Sequence, residues 1–128
     1  MIALFVAAAL NVVGCADRVE GPPGWPYAGW HRHAVIAGPI AFVGLRDAPG
    51  LSPALVRAGR RVTVLATTPG VEMVWHRRAK GFTFQACPRK RTQFLGGFSA
   101  DRRTCATIDV FAGGRYFQRR FSLGKRCR

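Results

Sequence analysis

From residue 34 to the C-terminus, the sequence consists of short runs in which every second residue is apolar. The run "RRVTVLAT" places Val62, Val64 and Ala66 on one side of an extended chain. This period-two alternation, rich in β-branched and aromatic residues, is typical of half-buried β-strands. The pattern recurs in "VEMVWHR", "GFTFQAC", "TCATIDVFA" and, less regularly, "RYFQRRFSL". These runs predict strands as the framework of the fold.

Turn residues separate the runs, and helical periodicity nowhere extends beyond about two turns. The segment "LSPALVRAG" could form one helical turn, but Pro53 and Gly59 bound it closely. The segment "AGGR" between the last two runs is typical of a two-residue hairpin turn. About six or seven strands at a spacing of roughly 8–12 residues predict an all-β fold. We expect a small antiparallel β-sandwich, immunoglobulin-like or similar, over residues 34–128.

The first 14 residues, "MIALFVAAALNVVG", carry no charged side chain and resemble a signal peptide. Their apolar run is shorter than the roughly 20 residues of a membrane span and fits the apolar core of a leader. We therefore expect residues 1–14 to be a signal-peptide-like segment. Residues 15–33, rich in Pro and Gly, are expected to form an irregular N-terminal arm or linker. The alternative is a first core strand or helix in a cytosolic protein.

Four cysteines occur in the sequence, and an even number in a small exported domain favours two disulfides. Cys87 ends one predicted strand and Cys105 begins the next, so an antiparallel pair would bring them together. We expect a Cys87–Cys105 disulfide, with Cys15 and Cys127 as the second pair. "VVGC" also resembles the bacterial lipobox, so lipid attachment at Cys15 is the alternative. The spacing does not match the CxxC pairs of a zinc site.

The chain is strongly basic, with 20 Lys and Arg against six Asp and Glu and a net charge of +14. Arginine suits bidentate contacts with phosphate and carboxylate, although a high-GC genome would also enrich it. The candidate anion-binding residues, which lie in predicted loops, are Arg77, Arg78, Lys80, Arg89, Lys90, Arg91, Arg102 and Arg103. We expect these loops to contact anionic lipid head groups or cell-wall polymers.

Aromatic residues near these basic clusters open a second interpretation. Trp75, Phe94 and Phe98 lie close in sequence to basic residues, and such interleaving can bind single-stranded nucleic acid. Export argues against that partner. The arm segment "GWPYAGW" could be a sugar- or peptide-binding platform, but packing on the sheet is the favoured interpretation.

The sequence offers little for catalysis or metal binding. Six carboxylates supply few acid and base pairs, and no GxSxG, HExxH or Gly-rich phosphate loop occurs. His31 and His33 share one side of an extended segment, and His76 is the other histidine. We interpret them as exposed side chains. We therefore expect no catalytic site, metal or cofactor, with an unrecognised hydrolase as a further alternative.

Several segments together resemble a known group of proteins. These are "CADRVEGPPGWPYAGWHRHAVIAGPIAFVGLR", "FQACP", "FLGGFSADRRTCATIDV" and "LGKRC". They are similar to small uncharacterised secreted or lipoprotein-like proteins of high-GC Gram-positive bacteria. The resemblance implies an exported β-sandwich, extracellular or anchored at the cell envelope, with cysteines at these four positions. It implies no activity.

Overall fold

A computed structural model describes residues 11–21, 34–45 and 51–127 of the chain. Strands and turns make up this part of the protein, with a single 3-10 turn at Cys15–Asp17 and no α-helix among the described residues. The predicted all-β class is therefore confirmed. The strands form three sheets.

The largest sheet has five strands, and the other two sheets have four and three. The five-stranded sheet contains Val12–Val13 (β1), Arg61–Ala66 (β5), Gly81–Gln85 (β8), Thr104–Ala112 (β11) and Arg115–Leu123 (β12). The four-stranded sheet contains Val35–Ala37 (β2), Ile40–Phe42 (β3), Ala54–Val56 (β4) and Thr92–Phe94 (β9). The three-stranded sheet contains Val71–Val74 (β6), Arg78–Ala79 (β7) and Gly97–Ala100 (β10).

The described residues contain twelve strands, several of them too short for the sequence pattern to reveal. Half of the twelve strands contain only two or three residues, and alternation cannot be recognised over so short a length. The longer alternating runs are correctly predicted. Their expected inward-facing residues, such as Val62, Val64, Phe82, Phe84 and Ile108, are all fully buried.

The order of strands in the five-stranded sheet is β1-β8-β5-β11-β12. Each neighbouring pair is antiparallel except β1 and β8, which are parallel. Because β5 lies between β8 and β11 and is antiparallel to both, β8 and β11 run in the same direction. The end of β8 and the beginning of β11 therefore lie at opposite ends of the sheet.

One aromatic core joins the three sheets. Phe84 belongs to the five-stranded sheet, Phe42 to the four-stranded sheet and Phe98 to the three-stranded sheet. Trp75 packs edge-on against all three, with its ring centroid 5.3 Å from that of Phe84 and 5.6 Å from that of Phe98. Edge-on aromatic pairs of this kind add to the gain from burial. The three sheets thus enclose one shared core, an arrangement consistent with a small β-sandwich.

The end of the leader-like segment is part of this fold. β1 extends the five-stranded sheet beside β8, and Val13 is buried in the core. The Asn11 carbonyl accepts a hydrogen bond from the amide of Thr83. The segment after β1 also contacts the domain, since Val19 pairs with Gln93. Residues 1–10 and most of the predicted arm, residues 22–33, lie outside the described residues.

The predicted cysteine pairing is wrong. The structure joins Cys15 to Cys87 and Cys105 to Cys127, with Cα–Cα distances of 4.7 and 5.1 Å. A Cys87–Cys105 disulfide is excluded because the end of β8 and the beginning of β11 lie at opposite ends of the sheet. The error came from treating β8 and β11 as antiparallel neighbours when β5 separates them. The alternative of lipid attachment at Cys15 is also wrong, because its sulfur is bonded to Cys87.

Candidate functional site

The eight predicted anion-binding residues lie on three separate loops. Arg77, Arg78 and Lys80 lie around β7, between β6 and β8; Arg89, Lys90 and Arg91 connect β8 to β9; Arg102 and Arg103 connect β10 to β11. All except Lys80 are exposed. The structure therefore places seven of these eight basic side chains at the surface, on three loops.

Lys80 differs from the other residues of this group because its side chain binds the protein's own backbone. Its Nζ donates hydrogen bonds to the carbonyls of Thr68 and Val71, at 3.2 and 2.6 Å, and its side chain is partly buried. These bonds close the turn that precedes β6. The ammonium group is thus committed to backbone oxygens, and Lys80 is a poor candidate for binding an external anion.

Two further cations of this set are paired with carboxylates. Arg78 lies 3.7 Å from Glu72 and also donates to Ser99 Oγ. Lys90 lies 3.3 Å from Glu20, which also pairs with Arg18 at 2.6 Å. The hydrogen bonds from Arg18 and Lys90 lower the pKa of Glu20 below its ordinary value. Arg77, Arg89, Arg91, Arg102 and Arg103 form no ion pair with another described residue.

Arg102 and Arg103 border an open cleft of about 830 Å³ between β10 and the end of β12. Its apolar lining comes from Val74, Phe98, Ala100 and Leu123. We call it the β10–β12 cleft. An apolar lining beside two guanidinium groups that no described carboxylate pairs suits a ligand with an anionic group and an adjoining apolar part.

The C-terminal segment supports this cleft. Gly124 has a φ of +83°, and a Cβ atom there would lie only 3.0 Å from Cγ of Arg103. The stem of Arg103 therefore packs directly on the Gly124 backbone. Next to this contact, Thr104 pairs with Gly124 and the Cys105–Cys127 disulfide ties the following residues to β11.

A second pocket lies at the other end of the five-stranded sheet, and the sequence did not predict it. It has a volume of about 300 Å³ and is bordered by Arg57, Arg60 and Arg115, with Phe117 beside them. We call it the three-arginine pocket. Arg60 follows Gly59, and Arg115 follows Gly114, so each continues from a turn glycine with positive φ. The turn before Arg115 was predicted from the sequence, but the convergence of the three arginines was not.

The aromatic residues that suggested nucleic-acid binding are in the core. Trp75 and Phe98 are 1% and 2% exposed, and Phe94 is fully buried. The Trp75 indole donates a hydrogen bond to the Phe94 carbonyl. None of these three rings can stack on a base without unfolding the sandwich. Trp25, Tyr27 and Trp30 lie outside the described residues.

One buried carboxylate lies away from both pockets. Asp109 accepts hydrogen bonds from Tyr116 Oη at 2.7 Å and Gln118 Nε2 at 3.1 Å. The bond to Asp109 and desolvation raise the pKa of the Tyr116 phenol above its ordinary value. These three side chains satisfy one another on the face of β11 and β12 turned away from the core.

The described residues hold no cluster of three or more His, Cys, Asp and Glu side chains that could bind a metal. His76 is exposed, whereas His31 and His33 lie outside the described ranges. Within residues 11–21, 34–45 and 51–127 there is no helix long and apolar enough to cross a membrane.

Comparisons with protein-family models, with curated protein sequences and with solved structures give no significant match to this chain. The function is therefore inferred from the fold and from the chemistry of the surface. The two disulfides fit an oxidising, extracellular environment, because such bonds are rare in reducing compartments.

Proposed function

We propose that this protein is an exported, non-catalytic module of the cell envelope whose arginine-rich loops contact anionic surfaces. The partners are anionic lipid head groups or anionic wall polymers. The observation that carries the proposal is the β10–β12 cleft, in which Arg102 and Arg103, without an ion pair to any described residue, adjoin an apolar lining. Lipid head groups with their adjoining apolar chains present this combination of chemistry.

The distribution of charge supports the same function. The chain carries +14 overall, and exposed Arg77, Arg89 and Arg91, which pair with no described carboxylate, add cations on two other loops. Such a surface attracts polyanions over a distance set by ionic strength. A basic residue near an anionic membrane contributes about 1 kcal/mol to binding, so several loops together give useful affinity.

Nucleic-acid binding is the less favoured alternative. Sequence-tolerant binding of single strands needs aromatic side chains on which bases stack, and Trp75, Phe94 and Phe98 are buried. A hydrolase has no supporting feature in either pocket, since neither is lined by a carboxylate, histidine or cysteine among the described residues.

The test is binding to vesicles of equal parts phosphatidylglycerol and phosphatidylcholine, with pure phosphatidylcholine and a single-stranded oligonucleotide as comparisons. We expect binding to the anionic vesicles that weakens with added NaCl. The double variant Arg102→Gln, Arg103→Gln should bind about tenfold or more weakly, from the loss of two cations at about 1 kcal/mol each.

A matched control removes the same charge elsewhere. Arg61 and Arg120 are exposed and form no ion pair with another described residue. Arg61→Gln, Arg120→Gln should weaken vesicle binding less than the cleft variant does. Equal loss in both variants would mean that net charge acts without the cleft. Stronger binding to the oligonucleotide than to the vesicles would favour the nucleic-acid alternative.

A further inference from the structure

The three-arginine pocket is assembled from three turns of the chain. Gly38 and Pro39 come from the β2–β3 turn, Arg57 and Arg60 from the β4–β5 turn, and Arg115 follows the β11–β12 turn. Residues that are distant in sequence thus meet at one end of the sandwich. The pocket shares no lining residue with the β10–β12 cleft.

Backbone hydrogen bonds hold these turns in place. The Arg57 amide donates to the Pro39 carbonyl at 2.9 Å, and the Arg60 amide donates to the Arg57 carbonyl at 3.1 Å. The Arg60 carbonyl in turn accepts from the Ala86 amide at 3.0 Å. The backbone of Arg57 and Arg60 is therefore fixed to the β2–β3 turn and to the residue that follows β8.

Phe117 forms an apolar wall and orients the third arginine. The guanidinium of Arg115 lies over the Phe117 ring, 5.2 Å from its centroid. The ring itself packs against Gly38, where a Cβ would lie 2.7 Å from Phe117 Cε2. The attraction between a cation and a ring face needs no hydrogen bond, so this contact uses none of the N–H donors of Arg115. Phe117 thus positions Arg115 without consuming its donors.

The pocket brings together three positive charges with no counter-charge from the described residues. None of its described lining residues is an Asp or Glu, and Arg57, Arg60 and Arg115 form no ion pair with a described residue. Like charges held near one another repel, and a bound anion relieves that repulsion. A neighbouring cation, Arg119, differs because it already donates to the Ile36 and Gln118 carbonyls.

We propose that Arg57, Arg60 and Arg115 form a binding pocket for a phosphate group. Phosphate has enough oxygens to accept from three guanidinium groups at once, and at pH 7 it carries between one and two negative charges. A pocket of about 300 Å³ is at the small end of the range for ligand sites, which suits a single group. Inorganic phosphate and a phosphomonoester on a larger molecule share this chemistry.

The experiment titrates inorganic phosphate into the disulfide-bonded protein at constant ionic strength and follows backbone amides by NMR. We expect saturable shifts at Gly38, the Arg57–Arg60 turn and the residues around Arg115. Each of Arg57→Gln, Arg60→Gln and Arg115→Gln should weaken binding about tenfold, because each removes a charge-assisted contact. Arg120→Gln, which removes an equal charge outside the pocket, should change affinity less than about twofold.

Further titrations distinguish inorganic phosphate from phosphate esters and from other anions as ligands of the pocket. Glycerol 3-phosphate tests a monoester and dimethyl phosphate a diester, and acetate tests a planar anion with one charge. Tighter binding of inorganic phosphate and the monoester than of acetate is expected. Equal binding of acetate, shifts confined to other loops, or equal weakening by Arg120→Gln would overturn the proposal. The wild-type amide map decides the site even if a variant fails to fold.

This proposal is independent of the proposed envelope function, because β11 separates the two pockets. Arg103 precedes that strand and Ala112, which lines the three-arginine pocket, ends it. Nine extended residues span about 30 Å. A loss of vesicle binding in the Arg102→Gln, Arg103→Gln variant that exceeds the loss in the Arg61→Gln, Arg120→Gln control therefore reports on the cleft, whereas phosphate titration reports on the pocket.

Discussion

Gly96 illustrates how a single residue without a side chain shapes the core of this protein. A Cβ at this position would lie 2.3 Å from the Trp75 ring, much closer than real contacts allow. Trp75 is buried at the meeting point of the three sheets and donates to the Phe94 carbonyl. The rings of Phe42, Phe84 and Phe98 also pack against the indole.

We therefore expect Gly96→Ala to lower the free energy of unfolding by about 1–3 kcal/mol, the usual cost of overpacking a core. Gly14→Ala is the matched control, because a Cβ there meets no atom within 4 Å. That change should stay within about 0.5 kcal/mol. Urea unfolding with the disulfides intact measures both, and equal effects would show that Trp75 is not closely packed on Gly96.

The disulfides connect elements that no local pattern relates. Cys15–Cys87 ties the segment after β1 to the end of β8, and Cys105–Cys127 ties the C-terminal segment to β11. The separations are 72 and 22 residues. In the chain-entropy description, closing loops of these lengths contributes about 4 and about 3 kcal/mol.

Peptide mapping under non-reducing conditions should recover Cys15 linked to Cys87 and Cys105 linked to Cys127. Urea unfolding of the Cys15→Ser, Cys87→Ser protein should show a larger loss of stability than the Cys105→Ser, Cys127→Ser protein. The first pair closes the longer loop and also holds β1 beside β8. A fragment containing Cys87 linked to Cys105 would contradict the strand order of the large sheet.

Across the whole molecule, repulsion between positive charges opposes folding. The chain carries +14, and the described residues contain ion pairs only around Glu20 and Glu72. Guanidinium groups converge at the three-arginine pocket and again at the β10–β12 cleft. Screening by salt weakens such repulsion between exposed charges.

The melting temperature should therefore rise when NaCl is increased from about 10 mM to about 150 mM, where the Debye length falls from about 30 Å to about 8 Å. A gain of about 1 kcal/mol would raise it by several degrees for a domain of this size. Calorimetry measures the shift, and sucrose at matched osmolality controls for general solute effects. A lower melting temperature in NaCl would mean that ion pairs stabilise the fold more than repulsion weakens it.

Local chemistry was sufficient to predict much of the architecture. Alternation in "RRVTVLAT", "GFTFQAC" and "TCATIDVFA" identified β5, β8 and β11 and their buried faces, because side chains of a strand alternate between its two sides. The hairpin turn before Arg115 was likewise predicted, whereas the helical turn considered over "LSPALVRAG" is strand β4 instead. The sequence also predicted exposed arginines in loops, because the basic clusters lie between the apolar runs.

Pairing between distant elements could not be read from the sequence. Because β5 lies between β8 and β11, those two strands run in the same direction, and Cys87 is far from Cys105. Each cysteine therefore pairs with a different partner from the one expected. The same packing buried Trp75, tied Lys80 to backbone carbonyls and brought Arg57 to Arg115. Alternation specifies which face of a strand is apolar, but only the competition among possible partners for one shared core selects its neighbours.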